Sequence, residues 1–255
     1  RFSLRGQTAV SESFIQLPEQ LDEQSISAPI DLRTIGSVTL VTSGLFNIAW
    51  RIKWTNMTTG IVDEIDVLKL ENELEPGLAS IVTWNEHFVL TEFNQDRLYL
   101  IAKDGDAIQC RIDLGTNPDA IEGLQTPLVV NDQLFVSFAF SGHLERIELN
   151  TLLDDCRLER TALPVTLGQV PNDLDLVNDE LWVTMSGENH LLRVDRLSGQ
   201  ALGQVVLPIS SNPWQFDFDP IRQLGAVSLW AIDQVYLLDA NGSLRFTFDE
   251  QIHTN

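Results

Sequence analysis

Along most of this chain apolar and polar residues alternate with a period of two, in short runs separated by Gly, Asn, Asp and Pro. That pattern predicts half-buried strands joined by tight turns, and helical periodicity is nearly absent. Residues 170–200 show it most clearly. Pro171-Asn172-Asp173 opens with turn chemistry, and Leu174 and Leu176 then alternate with Asp173 and Asp175. Asn178-Asp179 predicts a tight turn before the β-forming run Leu181-Trp182-Val183-Thr184-Met185. Gly187-Glu188-Asn189 turns the chain into a third strand over 190–195, and Ser198-Gly199 turns it again into a fourth over 201–208. Four antiparallel strands in about forty residues form one blade of a β-propeller.

Other stretches copy this unit. Asn85-Glu86-His87-Phe88-Val89-Leu90-Thr91 and Asn131-Asp132-Gln133-Leu134-Phe135-Val136-Ser137 parallel Asn178-Asp179-Glu180-Leu181-Trp182-Val183-Thr184. Third strands align over 97–101, 143–147 and 234–238. Pro76, Pro118, Pro171 and Pro213 open the copies at intervals of 42, 53 and 42 residues, which is blade spacing. The longer interval predicts an extended outer hairpin near 151–163. Residues 29–75 read as a further, divergent unit opened by Pro29.

The fold class is therefore all-β, a propeller of four-stranded antiparallel blades with five units visible: 29–75, 76–116, 117–169, 170–211 and 212–250. Five blades close the ring if these are all; six require residues 1–28 to supply part of one. That segment holds one predicted strand over 8–17 and an acidic linker, and 251–255 is a polar tail.

Composition narrows the function classes. A hydrophobic fraction of 44% supports a real core, while no apolar run approaches the ~18 residues of a membrane span. The chain begins at Arg1, which reads as a processed form or a fragment. The net charge is −21, from 37 acidic and 16 basic residues. Such a field repels a phosphate backbone and an anionic membrane surface, so neither nucleic acid nor a membrane is expected as partner. Cys110 and Cys156 begin similar local patterns. They are either two unrelated thiols or a bridge reached through the long hairpin; without ligand-spaced histidines they do not point to zinc.

The joints Gly115-Thr116-Asn117-Pro118 and Gly168-Gln169-Val170-Pro171 resemble those of YVTN-type bacterial propellers. Leu181-Trp182-Val183-Thr184 with Asn189-His190 and Val194-Asp195 is similar to that family's strand core, although the tetrapeptide itself is missing. The match is good for 170–200 and fair for 76–150 and 212–240. The resemblance implies a secreted, periplasmic or surface-layer setting and a scaffolding or binding role; it does not transfer a reaction.

Candidate chemistry is sparse. Counting four residues on from each opening proline gives Arg33, Ser80, Glu122, Asp175 and Asp217 as equivalent inner-strand positions. Glu122, Asp175 and Asp217 would suit calcium if they converged; otherwise the ring is a hydrated polar channel in which Arg33 pairs with a carboxylate. Arg33, Asn117, Asn172, His143, His190, Trp214 and Trp230 are expected on the channel or top-face surface. His143 and His190 fall at comparable loop positions, as surface histidines or as a metal or proton-transfer pair. Trp214 and Trp230 form either an aromatic wall or core packing. No nucleophile-elbow, zinc-protease, phosphate-loop or haem-attachment motif occurs.

These observations lead to the expectation of a non-enzymatic extracytoplasmic propeller, acting as a protein-binding or structural subunit of a larger assembly and carrying no cofactor. The alternative is a metal-dependent, lactonase-type hydrolase with a divalent ion on Glu122, Asp175 and Asp217.

Overall fold

The computed structural model describes residues 2–5, 8–11, 15–21, 24–26, 28–71, 77, 79–105, 107–116 and 120–249. The N-terminal segment carries two small hairpins, β1 (Phe2–Arg5) with β2 (Thr8–Ser11), and β3 (Gln20–Leu21) with β4 (Gln24–Ser25). The single strand expected over 8–17 is thus shorter and has a partner. The 251–255 tail lies outside the described residues.

Five four-stranded antiparallel sheets follow, and the protein is a five-bladed β-propeller. Blade one is β5 (Pro29–Ile35), β6 (Val38–Ser43), β7 (Ile48–Asn56) and β8 (Ile61–Lys69). Blade two is β9 (Ala79–Trp84), β10 (His87–Glu92), β11 (Arg97–Ala102) and β12 (Ile108–Asp113). Blade three is β13 (Leu128–Val130), β14 (Gln133–Ser137), β15 (Leu144–Glu148) and β16 (Glu159–Ala162), with a short helix α1 (Leu152–Asp155) in its outer hairpin. Blade four is β17 (Pro171–Val177), β18 (Glu180–Met185), β19 (His190–Asp195) and β20 (Ala201–Val206). Blade five is β21 (Pro213–Asp219), β22 (Leu224–Leu229), β23 (Gln234–Asp239) and β24 (Leu244–Asp249). By contacts the chain forms two compact units, 1–94 with 98–112, and 95–97 with 113–255.

The repeated Asn of the sequence has a backbone cause. Asn85, Asn131 and Asn178 head the first hairpin of blades two, three and four with φ of 51°, 57° and 48°. Asn tolerates this left-handed region, and tight hairpins require it to match strand twist. Alternation then sorts each strand between the two faces of its blade. Trp182 packs against Phe216 and Val227 of blade five, while its neighbours Leu181 and Val183 pack with Phe135 and Leu144 of blade three. In the first unit Leu40, Ile81, Phe88 and Tyr99 form a core between blades one and two. The opposite face of blade one is covered by Leu17, Leu21 and Ile26, and the Trp50 indole donates to the Pro18 carbonyl at 3.0 Å. Neither cysteine is a free thiol; both are disulfide-bonded, which removes the reading of two unrelated thiols.

Inner strands are edge strands of their sheets, so some of their N–H groups have no ladder acceptor. Carboxylates of the preceding blade supply one. Asp31 Oδ2 accepts from the Ile81 N–H at 3.2 Å, and Asp173 Oδ2 accepts from the Phe216 N–H at 2.9 Å. The two clasps are equivalent, since Asp31 pairs in register with Thr42 and Asp173 with Thr184. Asp175 adds a second one to the Phe218 N–H at 2.6 Å.

Two substitutions test this account by chemical denaturation. Asp173→Ala leaves the Phe216 N–H buried without its acceptor and is expected to cost about 1–3 kcal/mol. Val183→Asp places an unpaired carboxylate at a position with no exposed area, and a loss of several kcal/mol is expected. A Val183→Asp protein melting within a degree or two of the parent would show that this face is not core.

Candidate functional site

In the second unit a turn carboxylate sets the geometry. Asp96 sits at φ 51°. Its Oδ1 accepts from the N–H groups of Gly123 and Leu124 at 2.8 and 2.9 Å, and its Oδ2 from Glu122 at 2.7 Å. This fixes the loop before β13 and aims the buried Glu122. Glu122 Oε1 accepts from both the backbone and the hydroxyl of Thr116, each at 2.6 Å.

The loop from β14 to β15 brings His143 beside it. The imidazole stacks on Phe138 with centroids 4.1 Å apart. Its Nδ1 lies 2.6 Å from Ser141 Oγ and 3.7 Å from Glu122 Oε2. Its Nε2 lies 3.4 Å from Glu145 Oε1. Glu145 is buried on β15 and held by Arg160 of β16 through Nε–H and Nη2–H, at 2.8 and 2.7 Å. Arg160 also donates to the Leu114 carbonyl at 2.9 Å. Gly142 allows this loop to lie close: a Cβ there would come 2.7 Å from the Leu167 carbonyl, and its φ is +65°. Beside it is a cavity of about 460 Å³, lined by Phe140, Ser141, Leu167 and Gly168 among others. Ser141 belongs to both the cavity and the cluster.

Both carboxylates are held ionised. Burial acts to raise the Glu122 pKa, but hydrogen bonds from the Thr116 side chain and backbone, a hydrogen bond from Ser141 and the nearby His143 outweigh it. Glu145 likewise lies below the usual carboxylate range, because hydrogen bonds from His143 and Arg160 and their charges overcome the cost of burial. An aromatic-backed imidazole between two carboxylates, partly open to solvent, is a proton-transfer arrangement.

The other residues singled out from sequence serve differently. The registers correct the inner-strand alignment. Arg33, Asp175 and Asp217 pair with Leu40, Trp182 and Ala226, one equivalent position, but blades two and three place Val82 and Leu128 there. Ser80 falls two residues earlier, and Glu122 precedes β13 altogether, because an inserted loop separates Pro118 from the strand. Arg33 pairs with Asp31 of its own strand at 2.7 Å. Asp175 uses Oδ1 for the Leu176 N–H and Oδ2 for Phe218, and Asp217 is exposed. Glu122 and Asp175 are committed to these bonds, and only Asp217 is left facing solvent. Among the described residues no group of three or more His, Cys, Asp or Glu is arranged to hold a metal.

Asn172 donates to the Ser186 hydroxyl, which donates on to the Pro213 carbonyl, joining blades four and five. His190 is buried at the start of β19, its Nδ1 3.8 Å from Glu188 Oε2. Trp214 and Trp230 touch at 6.1 Å between centroids but are 44% and 69% exposed, so they are not core packing. Asn117 lies outside the described residues. Sequence reading gave Asp96, a residue of the loops on the same face as His143, no role of its own, and missed Glu145 and Arg160. The cross-strand placing of Glu145 near Arg160 was readable only once the β15–β16 register was known.

No family model matches the chain, and no curated protein matches it. Solved structures do. A catalytically inactive histidine-to-alanine variant of virginiamycin B lyase from Staphylococcus aureus, solved with quinupristin, superposes with a TM-score of 0.70 at 16% identity, covering 92% of this chain and 74% of that one. A streptogramin B lyase gives 0.66 at 14% identity, covering 89% and 70%. A functionally unknown protein from Desulfotomaculum acetoxidans gives 0.67 at 10% identity, covering 89% and 72%. At these identities the likeness shows the fold alone. The expectation of a non-enzymatic, protein-binding or structural subunit is corrected accordingly: it rested on the repeat, the missing motifs and the charge, and two propellers of this fold are lyases, so those features do not mark a propeller as non-enzymatic. Among the described residues no helix is long and apolar enough to cross a membrane.

The depressed carboxyls give a pH test. A lowered folded-state pKa contributes stability above the unfolded value, lost as pH falls through the folded one. The stability gap between the parent and Glu145→Gln should be full at neutral pH, narrow below about pH 4.5 and close in stronger acid. Arg160→Met should cost about 3 kcal/mol at neutral pH, the lower end for a broken buried pair, since Arg160 is part-exposed. Urea titrations across pH measure both; a pH-independent Glu145→Gln gap would contradict the assignment.

Proposed function

We propose that this chain is a propeller enzyme of the lyase class, working by proton transfer at His143. The observation that carries the proposal is the imidazole set between Glu122 and Glu145, beside a cavity shared through Ser141. The likeness to two lyases, one of them inactivated by loss of a histidine, supports it.

In such a reaction His143 takes a proton from a carbon next to a carbonyl. The freed electron pair forms the carbon–carbon double bond, and the bond to the leaving oxygen breaks with its pair on oxygen. Glu122 and Glu145 offset the charge on the imidazolium that forms, and Arg160 keeps Glu145 in place. A second reading rests on the 2.6 Å contact between Ser141 Oγ and His143 Nδ1. There Ser141 is a nucleophile and the outcome is ester or lactone hydrolysis through an acyl-serine.

We take the YVTN-type resemblance of residues 170–200 as kinship of blade construction and not of activity. We further propose an extracytoplasmic setting, supported by the bonded cysteines. A protein partner is not required by this reading.

Quinupristin and a panel of esters and lactones, followed by liquid chromatography and mass spectrometry, test the proposal. His143→Gln should lower turnover about 10²–10⁴-fold. Ser141→Ala should stay within about tenfold of the parent for elimination and abolish turnover for acyl transfer. Turnover unchanged in His143→Gln, or no consumption of any panel member by the parent, would sink the proposal.

A further inference from the structure

The top of blade five carries an aromatic corner that the His143 chemistry does not use. Trp214 is the second residue of β21, and Trp230 lies in the turn between β22 and β23. Their planes meet at 49°. The rings therefore form two walls and not a parallel clamp, which suits a compact, rounded group better than a flat one.

The corner is built on fixed backbone. The Trp230 N–H donates to the Asn212 carbonyl, and the Ala231 N–H to the Ser211 carbonyl, each at 3.2 Å. Asn189 Oδ1 in turn accepts from the Asn212 N–H at 3.0 Å and the Ser211 hydroxyl at 3.4 Å. Two large indoles are thus held in the open by a hydrogen-bonded frame.

Charge selects the occupant. Blade five has two basic residues, and both are matched: Arg222 with Asp219 and Arg245 with Asp239. Asp217 and Asp233, each three residues beyond one of the tryptophans, are exposed. An indole face attracts a cation through its quadrupole, and the surrounding field of a chain with net charge −21 has the same sign of preference.

We propose that Trp214 and Trp230 form a binding site for a small soluble ligand with an N-methylated ammonium head. The site stands apart from the His143 reading and survives its failure. Indole proton–nitrogen spectra test it, with choline as the probe and its uncharged carbon isostere, 3,3-dimethylbutan-1-ol, as the comparison. The Trp214 and Trp230 resonances should shift saturably with choline. The four others, from Trp50, Trp54, Trp84 and Trp182, stay still and report that the fold is intact. The isostere should bind at least tenfold more weakly. Trp230→Ala should weaken choline binding more than tenfold, and Asp233→Asn should weaken it less, by an amount that shrinks in high salt. Equal binding of choline and the isostere would reduce the corner to an apolar patch and overturn the proposal, as would the absence of saturable shifts at these two indoles.

Discussion

The architecture depends on carboxylates that accept backbone N–H groups of a neighbouring blade. A propeller blade is a small sheet with two open edges, and its inner edge faces a place where no strand can pair with it. Asp31, Asp173 and Asp175 answer those donors directly. Asp96 does the same for three successive amides of a loop. Apolar contact between blades is strong but indifferent to small slips. The carboxylate bonds fix the register in which the apolar faces meet.

The same device makes the candidate site. Glu122 is presented to His143 because Asp96 has already organised the loop that carries it. Glu145 can remain charged at a buried position because Arg160 meets both of its oxygens. The site thus concentrates ionised groups where burial alone would neutralise them. A small part of the acidic character of the chain serves internal structure in this way, and composition alone could not separate those carboxylates from the ones that solvate the surface.

Period-two alternation and the recurring Asn turns made the strands and blades legible before any coordinates. The positions Phe88, Leu90, Leu134, Val136, Leu181 and Val183 are fully buried as that pattern requires. The site was legible only in part. His143 stood out as a loop histidine, but Glu145 and Arg160 look like ordinary alternating strand residues until register sets them diagonally across β15 and β16, Glu145 opposite Ala162 and Arg160 opposite Ile147. The inner-ring alignment failed in blades two and three because counting from an opening proline assumes equal lengths up to the strand, whereas Ser80 falls two residues before the equivalent Val82 and a loop held by Asp96 carries Glu122 ahead of β13. Trp214 and Trp230 obey no period that distinguishes a buried indole from an exposed one.

The carboxylate clasps also have a direction. Each runs from an earlier residue to a later one: Asp31 to Ile81, Asp96 to residues 122–124, Asp173 to Phe216 and Asp175 to Phe218. A chain leaving the ribosome from its N-terminus therefore displays each acceptor before the amide it will receive has been made. Blades one, two and four are thus templates awaiting their successors, and at those joints the order of synthesis is also the order in which the blades can be indexed.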